Sequence, residues 1–330
     1  MKKIILKDPF ISERSKPQNI KDEDEHLFKH EYKKQFNSSY YLVIYNSIIV
    51  NRFVYLLKNL SFFTKYTYFS KPKFSRFLKD TYKNLFRSRK SSIIIKEAIW
   101  ICDDKSSVYF HWLFDALMKF INLPNEIKKN KIILPKEYCI DWIIEFLEYL
   151  KIDYFVLEPN CKVKVKKLYI PSYTAPSGNF NKEILIDLRN QFIKNYDSEY
   201  EYITNKKRIW VDMKKHRRPI ENILEIQPIL KKYNFEEVVF EDLSINQKIE
   251  LLYNTEILMG SHSSGLSNML FMNKGASIID IRDPNDNIKN AFFTLSSELD
   301  LKYYYMERED INSNIVINPK KLENLLKSLL

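Results

Sequence analysis

Glycine is scarce in this sequence: it occurs four times in 330 residues, where average usage of about 7% predicts roughly 23. This scarcity excludes a collagen-like or glycine-rich low-complexity chain, and it indicates that glycine is kept where other residues cannot serve. Three of the four, Gly260, Gly265 and Gly275, fall within sixteen residues, and the fourth is Gly178. The clustering indicates either backbone conformations that side chains disfavour or the close approach of a ligand.

Cysteine and long apolar runs are scarce too. Cys102, Cys139 and Cys161 are an odd set without paired spacing, which excludes a disulfide framework and is typical of reduced thiols in a cytosolic protein. No run approaches the 18 apolar residues that indicate a membrane span. The N-terminus has only a three-residue apolar run before Lys7, too short for a secretory signal. We therefore expect a cytoplasmic protein, with contact at the inner face of the cell membrane left open.

Positive charge is present in excess, with a net charge of +11. Such a chain attracts phosphorylated substrates, phospholipid surfaces or nucleic acid. No zinc-finger spacing, basic zipper or RNA-binding aromatic signature is present, so nucleic acid is not an expected partner. Residues 71–90, KPKFSRFLKDTYKNLFRSRK, carry eight basic residues and one acidic residue with aromatic and leucine residues at helical spacing. They predict either a basic amphipathic helix on an anionic membrane or the solvated outer face of a domain helix.

Length and composition predict two domains, since 330 residues with 45% apolar content exceed one ordinary core. Short β-branched runs alternate with helical patterns, which predicts α/β architecture with parallel sheets covered on both faces. We expect two Rossmann-like domains facing a central cleft. The predicted divisions are a polar, irregular or loosely attached arm (1–40), a first α/β domain (41–200) and a second (201–330). The polar stretch 196–206 is the expected linker, and the closing helix 319–330 is expected to pack back on the first domain.

The second half has the clearer alternation. RIWVD (208–212), FEEVVF (235–240), EILMG (256–260), ASIIDI (276–281) and LKYYY (301–305) predict strands. A helix is expected over 219–233 with Pro219 in its first turn, and Ser244 with Gln247 has the form of a capping box.

The loop Gly260–Asn268, GSHSSGLSN, joins a predicted strand to a predicted short helix over 266–271. A helix N-terminus after a small-residue turn presents free N–H groups and the positive end of a dipole, which favours phosphate. The serine hydroxyls and His262 add further donors. The alternative is a set of ordinary turns with one serine capping the helix.

Four groups of residues follow one another in the second half: an Arg-rich turn with Arg217, Arg218 and Asn222, then Asn234-Phe235 and Val238, then Glu241, Ser244 and Gln247, and then Gly260 through Met272. In this order they resemble glycosyltransferase family 61. Upstream, FHWLFDAL (110–117) is similar to the family's His-Trp-x-x-Asp motif. Ser263 and Ser264 stand where the family usually has Gly-Ala. The resemblance implies a GT-B fold, an inverting reaction, a nucleotide-sugar donor and no obligatory metal.

The donor side is expected in the second half. Arginines between a strand end and a helix start suit phosphate oxygens, although a solvated basic turn is the alternative. Glu241 and Asp280 stand near strand ends and are candidates for ribose or sugar contacts, or are ordinary strand-end carboxylates. The candidate donor and phosphate ligands are Arg217, Arg218, Asn222, Ser261, His262, Ser263, Ser264, Gly265, Leu266, Ser267 and Asn268.

A base for the acceptor hydroxyl is expected in the first half, across the cleft. His111 and Asp115 are four residues apart in a predicted helix (108–122), so they share one face. Either is a candidate base, and a helix-surface pair is the alternative. The only Asp-x-Asp spacing, Asp22 to Asp24, lies in the polar arm, so no metal ligand or other cofactor is predicted.

The predicted function is therefore an inverting transferase acting from a nucleotide-diphosphate sugar, with UDP favoured. The expected acceptor is a hydroxyl of a capsular or other cell-surface polysaccharide or of a lipid-linked glycan. The alternatives are another glycan-modifying transferase, such as a pyruvyl transferase, and a catalytically silent glycan- or membrane-binding protein.

Overall fold

The computed structural model describes residues 1–56, 92–194, 206–212, 219–311 and 314–330, with single positions at 68, 73, 75, 79 and 82. Most of the basic segment 71–90, nearly all of the predicted linker 196–206, and Arg217 and Arg218 lie outside the described residues. The chain divides into two units, the first made of residues 1–10 and 35–177 and the second of residues 11–34 and 178–330.

The first unit contains a seven-stranded mixed sheet of order β1-β4-β9-β6-β7-β8, with β5 also paired to β4. The strands β1, β4, β9 and β5 pair antiparallel, whereas β9, β6, β7 and β8 pair parallel. The prediction of an all-parallel sheet is therefore wrong for this half, because a tight hairpin with Asn51 at φ 53° returns β4 directly into β5. The bounds are β1 (Lys2–Lys7), β4 (Ser39–Val50), β5 (Phe53–Leu56), β6 (Ser92–Ile99), β7 (Ile132–Pro135), β8 (Tyr154–Leu157) and β9 (Lys162–Pro171).

Residues 1–38 are not the irregular arm that their polarity suggested. They supply the edge strand β1, and β2 (Phe10–Glu13) pairs with β3 (Lys33–Phe36) in a two-stranded sheet. Between these lies the short helix α1 (Glu25–Phe28). Arg14 is fully buried and contacts Glu31 at 2.9 Å and Glu298 at 3.3 Å. Polar residues are buried here because they pair with one another.

The first unit's helices include one that changes its winding. In α2 (residues 109–121), Tyr109–His111 and Met118–Ile121 are α-helical and Trp112–Leu117 form a π-helical segment. All six residues of the π-helical segment are buried. Such segments are rare and are frequent at functional sites. The next helices are α3 (Asn125–Lys128) and α4 (Asp141–Tyr149).

The second unit contains a five-stranded parallel sheet of order β11-β10-β12-β13-β14. Counted along the chain this order is 2-1-3-4-5, a doubly wound arrangement whose direction reverses between β10 and β12. Ligands of such sheets bind outside the carboxyl ends of the strands at this reversal. The strands are β10 (Lys207–Val211), β11 (Phe235–Val238), β12 (Thr255–Ser261), β13 (Ser277–Arg282) and β14 (Lys302–Glu307).

The helices of the second unit share its apolar core. Leu322 and Leu326 of the closing helix are fully buried with Trp210 and Ile226, so this helix packs in the second unit's core; its packing on the first domain stays a prediction. The helices are α5 (Lys182–Ile193), α6 (Ile223–Lys232), α7 (Ile245–Tyr253), α8 (Ala291–Glu298) and α9 (Pro319–Leu329), with a 3-10 helix over Ser264–Phe271; the remaining short strands are β15 (Glu309–Ile311) and β16 (Asn314–Val316).

Two local predictions can be compared with the helix starts. The capping box is confirmed, because the Ser244 side chain accepts from the Gln247 backbone and the Gln247 side chain accepts from the Ser244 backbone. Pro219, however, lies before α6, because Ile220 instead forms a bridge with Ile315 and the helix begins after Asn222. Within the parts of the chain that the structure describes, no helix has the length and apolar character that crossing a membrane requires.

Candidate functional site

The loop that follows β12 lies at the reversal point of the second sheet, beside the carboxyl end of β10. A Cβ atom on Gly260 would lie 2.9 Å from Val211 Cβ, and one on Gly265 would lie 2.6 Å from Val211 Cγ1. These two glycines are therefore required by close packing against β10 rather than by the approach of a ligand. Gly275 and Gly178 have φ of +79° and +82°, so they serve as turn residues.

The loop leads into a 3-10 helix over Ser264–Phe271 rather than the predicted short helix over 266–271. Ser263 is extended at its N-cap position, with no hydrogen bond from its side chain to the helix. Leu266 is fully buried, and the Asn268 amide donates to the Gly265 carbonyl at 2.8 Å. The shape of the loop is thus set by Gly265, Leu266 and Asn268. The polar groups that remain for a ligand are serine hydroxyls.

Several buried polar oxygens around the loop have no hydrogen-bond partner among the described residues. Ser261 and Ser267 are fully buried, and the hydroxyls of both belong to this set. Their neighbours in the set are the Ser263 hydroxyl and Asp280 Oδ1. A buried unsatisfied polar group costs about 1–3 kcal/mol, so most are paired in folded proteins. Four in one loop and its neighbouring strand give this place the capacity to bind ordered water or a polar ligand.

His262 is the loop residue with the most defined geometry. Its Nδ1 lies 2.8 Å from Asp280 Oδ2, and the same oxygen accepts a hydrogen bond from the Tyr303 hydroxyl at 2.8 Å. Burial acts to raise the pKa of Asp280, but the charge and hydrogen bond of His262, the charge of Arg282 and the Tyr303 hydroxyl outweigh it and lower that pKa. Burial, followed by the Asp280 charge, raises the pKa of Tyr303. Asp280 is thus an ionised carboxylate beneath His262.

The other predicted donor residues are placed differently. Asn222 donates to the Ile317 carbonyl at 2.8 Å and accepts from the Ile317 N–H at 3.0 Å, so its amide ties the start of α6 to the segment before α9. These two hydrogen bonds give Asn222 a structural role, and its part in donor binding stays a prediction. Glu241 is exposed in a 3-10 turn over Phe240–Asp242, after β11. In the sequence, Arg217 and Arg218 stand between β10 and α6, outside the described residues.

In the first unit, His111 and Asp115 contact each other as their spacing predicts. His111 Nδ1 lies 2.6 Å from Asp115 Oδ2. The Ser177 hydroxyl donates to the same oxygen at 2.9 Å and lies 3.4 Å from His111 Nδ1. Asp115 is buried, whereas the His111 side chain is 21% exposed. Ser177 was not predicted; the one signal available was its position in the proline-containing loop beside Gly178.

A second buried polar cluster lies in the same unit and includes Lys119 of the same helix. Lys119 Nζ lies 3.3 Å from Asp103 Oδ2, and the Tyr173 hydroxyl donates to that oxygen at 2.5 Å. Burial acts to raise the pKa of Asp103, but the Lys119 charge and the Tyr173 hydrogen bond lower it overall. Burial, Asp103 and, more weakly, Asp115 raise the pKa of Tyr173.

Other features of the described residues do not add to these two sites. A cavity of about 680 Å³ opens at the amino ends of β12, β13 and β14, the edge of the second sheet opposite to the loop, and Lys206, Lys274 and Lys302 line part of it. No group of three or more His, Cys, Asp or Glu residues in the described ranges is arranged to hold a metal ion.

The model of one protein family, described as Glycosyltransferase 61, matches residues 109–279. The match covers 171 of 330 residues, just over half of the chain. It includes both the His111–Asp115 pair and the loop with His262. No curated protein shows a significant match to the sequence.

Proposed function

Since the chain belongs to the glycosyltransferase 61 family, we propose that it is an inverting transferase that moves a sugar from a UDP-sugar to a glycan hydroxyl. Family membership supports glycosyltransferase activity with a nucleotide-sugar donor and a glycan acceptor. The observation that carries the proposal is the loop after β12, where unpaired serine hydroxyls and a fixed histidine surround the reversal point of a doubly wound sheet.

The leaving diphosphate is the part of the donor that this loop suits. Negative charge grows on the phosphate oxygens as the bond to the sugar breaks, and preorganised donors stabilise it. In our proposal the hydroxyls of Ser261, Ser263 and Ser267 and the imidazole of His262 supply such donors. Ser264 begins the 3-10 helix, where backbone N–H groups lack partners within the helix. Arg217 and Arg218 are proposed as further phosphate ligands on sequence grounds, and no obligatory metal is required for this role.

The acceptor hydroxyl needs a base, and we assign this role to His111. His111 is more exposed than Asp115, and the carboxylate is held by hydrogen bonds from both His111 and Ser177. The acceptor oxygen forms a bond to the anomeric carbon as the bond to the diphosphate oxygen breaks. Its proton passes to the imidazole, and the diphosphate leaves with the bonding electron pair. Asp115 orients the ring and stabilises the imidazolium that forms.

The proposed ribose or sugar contact, acceptor and location are based on the sequence. Glu241 is a candidate contact for the ribose or sugar, since it is exposed beyond the carboxyl end of β11. A cell-surface polysaccharide or lipid-linked glycan is the proposed acceptor, reached by a cytoplasmic enzyme. The net charge of +11 and the basic segment 71–90 agree with a peripheral location at an anionic membrane.

The proposal is tested by ligand-dependent thermal stability. The full chain is heated with UDP, GDP and CMP and with their common sugar conjugates, and adenosine diphosphate serves as the unrelated control. A ligand that binds only the folded state raises Tm with its concentration. We expect UDP and a UDP-sugar to stabilise the protein and Ser261→Ala with Ser267→Ala to reduce that effect. If no nucleotide raised Tm, the proposal would be contradicted. A preference for GDP or CMP would show that the donor is not a UDP-sugar.

A further inference from the structure

His262 is held on several sides by neighbouring elements of the second unit. Its backbone N–H donates to the Ile281 carbonyl at 2.9 Å, and its ring stands edge-on to Phe292 with centroids 4.7 Å apart. The side chain is still 18% exposed, so a ligand can reach it. The ring is therefore fixed in orientation without being enclosed.

Asp280 determines which nitrogen of this ring faces a ligand. It lies on β13 directly beside Gly260 of β12, and it is fully buried. An ionised carboxylate only accepts hydrogen bonds, so the His262 nitrogen that contacts it must carry a proton. Nδ1 is thereby committed as a donor to Asp280. Nε2 is the remaining nitrogen, and none of the described residues hydrogen-bonds to it.

Tyr303 holds the carboxylate in turn. Its hydroxyl donates to the Asp280 oxygen that contacts His262, and its ring packs against Phe293 at 5.4 Å and Phe28 at 6.0 Å. The chain from Tyr303 through Asp280 to His262 runs across three neighbouring strands or strand ends, β14, β13 and β12. Such a succession of hydrogen bonds fixes the tautomer and direction of the last ring.

We propose that Asp280 is a positioning residue of the donor site, which fixes His262 so that Nε2 faces the donor diphosphate; this inference rests on the proposed function. When the diphosphate binds, Nε2 takes up a proton from solvent and donates a hydrogen bond to a phosphate oxygen, and the buried Asp280 carboxylate offsets the positive charge that the ring then carries. Asp280 acts through His262 and does not touch the ribose or the sugar. This replaces the ribose contact that its position in the sequence suggested.

The first experiment measures the His262 tautomer without any ligand. Long-range proton–nitrogen NMR spectra of the full chain are recorded for the wild type and for Asp280→Ala, with the His262 signals assigned by their loss in His262→Ala. The sequence contains five histidines, so the spectra are simple. We expect protonated Nδ1 in the wild type and loss of that preference in Asp280→Ala. An unchanged tautomer in the variant would overturn the inference.

The second experiment measures UDP affinity in a double-mutant cycle. Asp280→Ala and His262→Ala are each expected to weaken UDP binding roughly tenfold, as for loss of one hydrogen bond to a charged group. In the His262→Ala background, Asp280→Ala is expected to add no more than about twofold, because coupled residues are not additive. Asp187→Ala, the same change at an exposed position of α5, is the control and leaves affinity unchanged.

The two possible failures are distinguishable. A full additional loss from Asp280→Ala in the His262→Ala background would show that Asp280 does not act through His262. If the wild type binds none of UDP, GDP and CMP, the proposed function fails, whereas the tautomer spectra still report the hold of Asp280 on His262. Should Asp280→Ala unfold, Asp280→Asn keeps the side-chain volume, removes the charge and must weaken UDP binding.

Discussion

The carboxylate of Asp115 lies 2.6 Å from His111 Nδ1, although the helix changes from α to π winding between the two residues. Ser177, 62 residues further along the chain, donates to the same oxygen. The pair is therefore built by one helix and completed by a distant loop. Because Asp115 is buried and doubly hydrogen-bonded, its geometry is fixed, and His111 is the more exposed member of the pair that we propose as the base.

Replacement of His111 by alanine is expected to reduce kcat by about 10²–10⁴-fold, the usual contribution of a positioned base. Donor affinity is expected to stay unchanged, because the loop with His262 belongs to the other unit. His26→Ala, at an exposed position, is the matched control. Steady-state kinetics and UDP titration separate the two effects. A variant that loses UDP affinity while keeping kcat would contradict the assignment.

Replacement of Ser177 by alanine is expected to lower kcat roughly tenfold, since Asp115 loses one of two hydrogen bonds to a charged group. Ser177→Thr keeps the hydroxyl and is expected to restore most of the activity. Ser328→Ala removes an exposed hydroxyl of α9 and serves as the control. The comparison is made at saturating donor. Equal activity of Ser177→Ala and the wild type would show that Ser177 does not support Asp115.

The second sheet and its loop could be predicted because each element carries a local signal. Buried parallel strands are near-continuous apolar runs, as in EILMG and ASIIDI, and the capping box at Ser244 marks a helix start within four residues. The i, i+4 spacing of His111 and Asp115 is local in the same sense. It predicted their contact even though the π-helical winding was not foreseen.

The remaining features depend on residues that are distant in the sequence. β1, KKIILK, is an edge strand with Lys2 and Lys3 exposed, and its pairing with β4 joins it to residues more than 30 positions away. Asp280 meets His262 and Tyr303 across strands, at separations of 18 and 23 residues. No periodicity encodes such contacts, so the sequence could suggest a ribose contact for Asp280 but could not predict its contact with His262.

Asp103 is expected to make stability depend on acid pH. Its pKa is lowered in the folded state, against the effect of burial, by the charge of Lys119 and the hydroxyl of Tyr173. A lowered folded pKa stabilises the protein above the unfolded value of about 3.9, and this contribution is lost as pH falls through the folded pKa. Urea unfolding from pH 6 to pH 3 is expected to show a smaller decline in the free energy of unfolding for Asp103→Asn than for the wild type. Asp187→Asn, exposed on α5, is expected to follow the wild type.

Gly265 is expected to tolerate no side chain, because its Cβ would lie 2.6 Å from Val211 Cγ1. Gly265→Ala therefore overpacks the contact between the loop and β10 and is expected to lower the free energy of unfolding by about 1–3 kcal/mol. It is also expected to weaken UDP binding, because the loop must move.

Val211→Ala alone leaves a small gap, and in the double variant it removes the atom that clashes. Denaturant titration of the two single variants and the double variant measures the coupling, and we expect Val211→Ala to recover most of the stability lost in Gly265→Ala. Additive losses would show that the glycine is required for another reason, such as the path of the loop itself.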